Sequence, residues 1–242
     1  MGKLVKEYEK YFPEPFIPTW VFANHDRMRR IARIKDMEKA KLHVAFQMTV
    51  RGVPYIYYGE EIGLDNPILP VKKSKDEMVL KYAYLPQFLF NFLRKVGKES
   101  FNRDECRTPM QWRPEKNAGF CPPNVKPWLP VTDSYKERNV ETELKDENSL
   151  LNCYKRFLKI RKETPPLNSG SLKNLNIGDE ILSYVREYKG QKVIVYLNFT
   201  NSRAKIKSEI DGKLLISTNL ESHFIDDKIL EPNEGLVIKV KK

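Results

Sequence analysis

The sequence predicts an α/β fold for the first two thirds of the chain and a small all-β fold for the rest. In the first part, apolar runs at residues 19–23 and 53–58 each lead into a polar cluster, and a helical pattern separates the two runs. In the second part, the apolar period changes from the helical value to two. We therefore expect two domains, residues 1–164 and residues 165–242.

The first strand leads directly into residues 24–26 (Asn-His-Asp). Apolar positions at helical spacing predict a helix over residues 28–50, with Asp26 in position to cap its N-terminus. The second strand runs into Glu60 and Glu61. Functional groups gather at the carboxyl ends of parallel strands, so both polar clusters are candidate site positions.

Residues 64–146 are rich in proline, aromatic and charged residues without a clean period, and helical pieces are expected within residues 76–95. An amphipathic helix is predicted over residues 148–162, and the two prolines at 165 and 166 end it. Asn, Gly and Asp turns then separate the predicted strands of a small antiparallel domain, at residues 181–185, 193–197 and 236–240.

The composition of the 242-residue chain narrows the possible partners. Lys and Arg number 43 against 32 Asp and Glu, a formal net charge of +11. The basic residues are scattered among acidic ones, so we expect a solvated surface and no nucleic-acid partner. No apolar run approaches the roughly 18 residues of a membrane span, so no membrane partner is expected either.

The remaining compositional features point to an ordinary reducing compartment. The N-terminal residues are charged and carry no signal peptide, so we expect a cytoplasmic protein. The odd number and wide spacing of Cys106, Cys121 and Cys153 indicate neither a disulfide framework nor a zinc site. The sequence contains no phosphate-binding glycine loop and no metal-ligand spacing, so no cofactor and no metal are expected.

The tripeptide at residues 24–26 has a chemistry that suits sugars. An ionised Asp26 can accept hydrogen bonds from two sugar hydroxyls, and His25 can donate one to the same sugar. Such bonds strengthen as positive charge develops on a sugar ring during glycoside cleavage. The alternative is that Asp26 caps the following helix and His25 is an ordinary polar residue in a turn.

Two other clusters carry weaker signals. Glu60 and Glu61 are paired carboxylates that could divide acid and base roles, but pairing of one of them with an Arg to fix the loop is favoured. Residues 103–112 contain Arg103 and Arg107, whose planar guanidinium groups suit hydroxyls and carboxylates, and Trp112, on which a sugar could stack. The alternative there is a loop with one salt bridge.

Together, these segments resemble a known family. Residues 24–26, 52–63 (GVPYIYYGEEIG), 103–112 (RDECRTPMQW) and 117–120 (NAGF) resemble the α-amylase family, glycoside hydrolase family 13, in its oligo-1,6-glucosidase and α-glucosidase branch. The resemblance implies a retaining hydrolase of short α-linked glucose oligosaccharides. It also implies the last two βα units, the seventh and eighth, of a (β/α)₈ TIM barrel with long loops, followed by a small antiparallel β-sandwich.

The resemblance also assigns residues to a site. Asp26 matches the family's third essential carboxylate, a catalytic residue that holds sugar hydroxyls and stabilises the transition state. His25 matches the adjacent sugar-binding histidine. Arg107, with Arg103 as the alternative, matches an arginine that anchors the terminal glucose. Arg29 matches an arginine of the site wall.

The sequence departs from the family pattern in two ways. Arg27 and Met28 stand where relatives often have Gln and Pro, and Tyr58 stands where they often have Gln, so the resemblance leaves the subsite preference open. In addition, no segment matches the nucleophile or the acid/base residue, which the family carries on the fourth and fifth barrel strands. A retaining glycosidase needs this pair about 5–5.5 Å apart.

The missing pair leads us to expect a C-terminal fragment that is inactive alone. Two alternatives stay open. In one, the chain is part of a split glycosidase and a separate chain supplies the N-terminal barrel portion. In the other, it is a non-catalytic carbohydrate-binding or interaction module. The preference between α-1,4 and α-1,6 linkages is also left open, because in the family it depends on residues near the nucleophile.

Overall fold

The computed structural model describes residues 1–97, 99–207, 211–222 and 227–241. The chain divides into two compact units. The first comprises Met1–Trp20, Met37–Tyr55 and Asn152–Lys242, and the second comprises Val21–Asp36 and Ile56–Leu151. Among the described residues, none of the helices combines the length and the apolar character that crossing a bilayer requires.

The elements are as follows in chain order. The helices are α1 (Gly2–Tyr11), α2 (Arg30–Ile34), α3 (Met37–Thr49), α4 (Glu77–Leu80), α5 (Gln87–Gly97), α6 (Val140–Lys145), α7 (Leu150–Glu163) and α8 (Pro165–Ser169). The strands are β1 (Thr19–Val21), β2 (Val53–Tyr55), β3 (Ser171–Ile177), β4 (Ile181–Tyr188), β5 (Gln191–Asn198), β6 (Ala204–Lys205), β7 (Gly212–Ser217), β8 (Ile229–Leu230) and β9 (Gly235–Val240).

In the first unit, α3 lies between β1 and β2 in sequence, as predicted, and the two strands are hydrogen-bonded neighbours. The buried Gln47 amide ties the helix to both strands by donating to the carbonyls of Trp20 (3.1 Å) and Tyr55 (2.9 Å). The prediction of one helix over residues 28–50 is wrong. Lys35 takes up a left-handed φ of 53°, so the backbone hydrogen-bond ladder breaks there and α3 starts at Met37.

Two buried arginines hold the C-terminal end of α3. Arg161 donates to the carbonyls of Met48 and Gly52, both at 2.6 Å, and Arg186 donates to that of Thr49 at 2.5 Å. Carbonyls at a helix C-terminus lack intrahelical partners and carry partial negative charge, so they suit cations. Desolvation is nevertheless large enough to lower the pKa of Arg186 to about 10.

The predicted sheet-rich part is present. Five antiparallel strands form a sheet in the order β3-β4-β5-β9-β7, and β6 pairs with β8. Buried side chains from both sheets share one core, consisting of Tyr196, Ile206, Leu230, Leu236 and Ile238. Gly235 allows α3 to approach β9 closely, because a Cβ there would lie 2.9 Å from the side chain of Ala45.

In the second unit, small apolar clusters hold irregular chain together. One consists of Ile62, Leu64 and Met110, and another of Val71, Val79 and Phe90. Two polar side chains of helix α5 contact the rest of this unit. Gln87 accepts from the Val71 N–H (3.0 Å), and Arg94 pairs with the buried Glu105. The opposite face of α5 therefore exposes apolar side chains, those of Phe88, Phe92 and Val96.

Candidate functional site

The residues that follow β1 form a tight polar turn. The Asn24 side chain accepts from the Asp26 backbone N–H at 2.9 Å. Helix α2 starts at Arg30, four residues after Asp26. The N-cap position is Arg29, and no side chain caps the first turn of the helix. The alternative in which Asp26 caps the helix is therefore wrong, and its half-exposed carboxylate serves other partners.

Three cationic or donor side chains surround the Asp26 carboxylate. Its Oδ1 accepts from Arg103 Nη1 at 3.1 Å and from Arg107 Nη2 at 3.0 Å. Its Oδ2 lies 3.3 Å from Nε2 of His25, which is largely exposed. Arg107 also donates through Nε to the His25 carbonyl at 3.0 Å. The structure thus brings together four of the five predicted site residues.

The electrostatics of this cluster favour an ionised carboxylate. Desolvation raises the pKa of Asp26, but the charge of His25 and the hydrogen bonds from Arg103 and Arg107 together outweigh it. The pKa of Asp26 consequently lies below its usual value. An ionised carboxylate only accepts hydrogen bonds, so sugar hydroxyls and other neutral donors are suitable ligands.

The fifth predicted residue, Arg29, is fully buried. Its guanidinium carbon lies 5.0 Å from the ring centre of Tyr57 and 4.5 Å from that of Tyr58, and one Nη donates to the Tyr58 carbonyl. Gly59 has a φ of +83°, and a Cβ there would lie 3.0 Å from this guanidinium. Arg29 therefore supports the two tyrosines from inside the unit.

The two tyrosines link this support to the arginine segment. Tyr57 donates through its hydroxyl to the Cys106 carbonyl at 3.1 Å, and Tyr58 donates to the Thr108 carbonyl at 2.8 Å. Residues 106–108 include Arg107, so the tyrosine hydroxyls fix the backbone on both sides of it. Tyr58 thus fixes the backbone beside Arg107, a role that its sequence position alone did not reveal.

Glu60 has the structural role that was favoured for the Glu60–Glu61 pair. Its Oε1 lies 3.3 Å from Arg30 Nε with both side chains buried, and its Oε2 accepts from the Tyr57 N–H at 2.9 Å. Desolvation raises the pKa of Glu60, and Arg30 offsets only part of that effect. The prediction that one carboxylate pairs with an Arg and fixes the loop is confirmed.

Asp76 is part of the same network, although no sequence motif marks it as a site residue. Both of its carboxylate oxygens accept from Arg103, each at 2.7 Å. Trp112, proposed as a stacking surface, is half exposed, and its backbone N–H donates to the Ala118 carbonyl at 2.8 Å. Among the described residues, no group of His, Cys, Asp or Glu side chains has the arrangement of a metal site.

Comparison with known proteins defines the family. A sequence profile of the alpha amylase catalytic domain matches residues 1–170. The chain is 32% identical to an alpha-glucosidase of Apis mellifera, over 82% of this chain and 33% of that protein. It is also 32% identical to a probable oligo-1,6-glucosidase of Bacillus subtilis, over 93% of this chain and 42% of that protein. The chain therefore belongs to the α-amylase family, and the resemblance to its α-glucosidase and oligo-1,6-glucosidase branch is confirmed.

Solved structures agree with this assignment. The fold matches that of a trehalulose synthase from Pseudomonas mesoacidophila MX-45 with a TM-score of 0.83 and 26% identity. The match covers 99% of this chain and 46% of the other. The chain thus spans less than half the length of these relatives.

Proposed function

We propose that the chain is the C-terminal part of a retaining α-glucosidase or oligo-1,6-glucosidase and supplies the sugar-holding half of its site. The observation that carries this proposal is the Asp26 carboxylate, held by hydrogen bonds from Arg103 and Arg107 shortly after β1. In this proposal, residues 1–164 are the seventh and eighth βα units of a (β/α)₈ TIM barrel, and residues 165–242 are a β-sandwich. The profile match over residues 1–170 supports that division.

Asp26 has the chemistry that this function requires. Its side chain is 45% exposed, so sugar hydroxyls can reach the lone pairs that the arginines leave open. Its negative charge is also suited to stabilise the positive charge that develops on a sugar ring during glycoside cleavage. His25 lies beside it with its imidazole mostly exposed and able to donate to the same sugar.

The two arginines divide their roles in this proposal. Three nitrogens of Arg103 are engaged, two by Asp76 and one by Asp26. Arg107 uses Nε and Nη2, and its Nη1 has no partner among the described residues. We therefore assign the glucose-anchoring role to Arg107 and a supporting role to Arg103.

Cleavage of the glycosidic bond requires groups beyond Asp26. No segment of the chain matches the family's nucleophile or acid/base motif. We therefore expect binding of glucose units without hydrolysis by this chain alone.

An assay of purified chain tests this expectation. Maltose and isomaltose are incubated with the chain, and released glucose is measured beside an Asp26→Ala variant. We expect the same background release from both proteins. Glucose release by the wild-type chain that disappears in Asp26→Ala would overturn the proposal, because the chain would then carry a complete catalytic site.

The chain spans less than half the length of its relatives, and this favours a second candidate, a split enzyme. A separate chain could supply the missing barrel portion, including the nucleophile and the acid/base residue. In that case, affinity-tagged chain purified from its native cells should carry a partner with those motifs, and the pair should release glucose from maltose. Purification of the tagged chain without such a partner would count against a split enzyme.

A further inference from the structure

The fully buried carboxylate of Asp76 binds Arg103, one of the two arginines that contact Asp26. Asp76 directly precedes α4, and its side chain is 0% exposed. Its Oδ2 accepts from Arg103 Nε and its Oδ1 accepts from Arg103 Nη2, both at 2.7 Å. This is the planar, two-point geometry in which a guanidinium and a carboxylate bind most strongly.

The segment that carries Asp76 is itself fixed to the segment that carries Arg103. The Ser74 hydroxyl donates to Asp104 Oδ2 at 2.9 Å, and the Lys75 N–H donates to the same oxygen at 2.6 Å. The Asp76 N–H donates to the Ser74 hydroxyl at 3.0 Å. The segment that carries Asp76 is therefore tied to Asp104, the residue that follows Arg103.

This arrangement determines where the remaining nitrogen of Arg103 points. With Nε and Nη2 held by Asp76, Nη1 lies 3.1 Å from Asp26 Oδ1. We propose that Asp76 is a positioning residue of the sugar site, which fixes the Arg103 guanidinium so that Asp26 is held in the orientation that receives a sugar. The inference rests on the proposed function. Asp76 lies outside the motif segments that carry the family resemblance.

A simpler role for Asp76 is that of a helix cap, because its Oδ1 also accepts from the Met78 N–H at 3.2 Å. The substitution Asp76→Asn separates the two roles. Asn caps helices as well as Asp does, so the cap is retained. The Asn amide, however, presents N–H donors where Arg103 Nε needs an acceptor, so the guanidinium is released from its fixed orientation.

A double-mutant cycle measures the coupling. Glucose is titrated into the 242-residue chain and its Asp76→Asn, Arg103→Gln and doubly substituted variants, and binding is followed by NMR. We expect Asp76→Asn to weaken binding by about fivefold, the scale of one ordinary hydrogen bond. In the Arg103→Gln background, the same substitution should change the affinity by less than about twofold, because the residue through which Asp76 acts is gone.

A second measurement follows Arg103 itself. Its Nε–Hε signal should be sharp and protected from exchange in the wild-type chain and broadened in Asp76→Asn. An unchanged glucose affinity in Asp76→Asn would overturn the inference, as would an equal loss in both backgrounds. If the wild-type chain bound no glucose, the proposed function would fail, and the Arg103 signal would then decide on its own: broadening supports the positioning role, and an unaltered signal refutes it.

Discussion

Glu143 gives the fold a pH dependence that can be worked out from its surroundings. Its side chain lies almost entirely out of water on α6, and Oε2 accepts from the Leu151 N–H at 3.0 Å. Desolvation is the largest influence and raises the pKa of Glu143 from 4.5 to about 7, although the hydrogen bond from Leu151 lowers it. The folded protein therefore favours the protonated form of this side chain.

The consequence is a loss of stability as the pH rises. Below pH 4.5 the side chain is protonated in both the folded and the unfolded chain. Between pH 4.5 and about 7 the unfolded chain ionises while the folded chain does not, so the free energy of the unfolded state falls relative to that of the folded state. The full difference corresponds to about 3 kcal/mol, at about 1.4 kcal/mol per pKa unit. Part of it is already lost at pH 5, so about 2 kcal/mol is lost between pH 5 and pH 8.

The substitution Glu143→Gln removes this titration and preserves an oxygen that can accept from Leu151. Urea unfolding at pH 5 and pH 8 should show the variant gaining about 2 kcal/mol on the wild-type chain between the two conditions. Glu141→Gln is the matched control, because Glu141 lies on the same helix with its side chain half exposed and paired with Lys145. A stability difference between wild type and Glu143→Gln that stays constant with pH would contradict a raised pKa of Glu143.

Two further predictions concern the second unit. Glu60→Gln leaves the buried Arg30 charge without its carboxylate, so urea unfolding should show a loss of about 3–5 kcal/mol; a loss below 1 kcal/mol would contradict the buried ion pair. Replacing the exposed Phe88 and Phe92 with Ser should lower the fluorescence of an added hydrophobic dye by about half without changing the unfolding midpoint. Phe90→Ser, at the buried face of α5, should instead lower the midpoint, and the reverse ranking would contradict the orientation of α5.

The sequence predicts those elements that depend on a local pattern of apolar and polar residues. Strands that end in polar clusters were predictable from apolar runs, and the clusters at Asp26 and Glu60 lie where those strands lead. The contact of Arg103 and Arg107 with Asp26 joins residues about 80 positions apart, so only the family resemblance could bring them together. The burial of Arg29 was not predictable, because an arginine beside a polar motif is expected at the surface.

Elements with irregular geometry were not predictable from the sequence pattern. Strands β3 and β7 both contain register shifts, between Lys173 and Asn176 and between Leu214 and Ile216. A β-bulge reverses the alternation of inward and outward side chains, so the period of two is lost. Asp76 was not predictable for a different reason, since its function depends on a partner 27 residues further along the chain.

In our proposal, this chain presents half of a glucose site centred on Asp26. The most direct test is a glucose titration followed by NMR, comparing the wild-type chain with Asp26→Asn. We expect saturable shifts of the His25 and Arg107 side-chain signals in the wild-type chain, and their loss in the variant. Absence of saturable shifts in the wild-type chain, or equal shifts in both proteins, would contradict it.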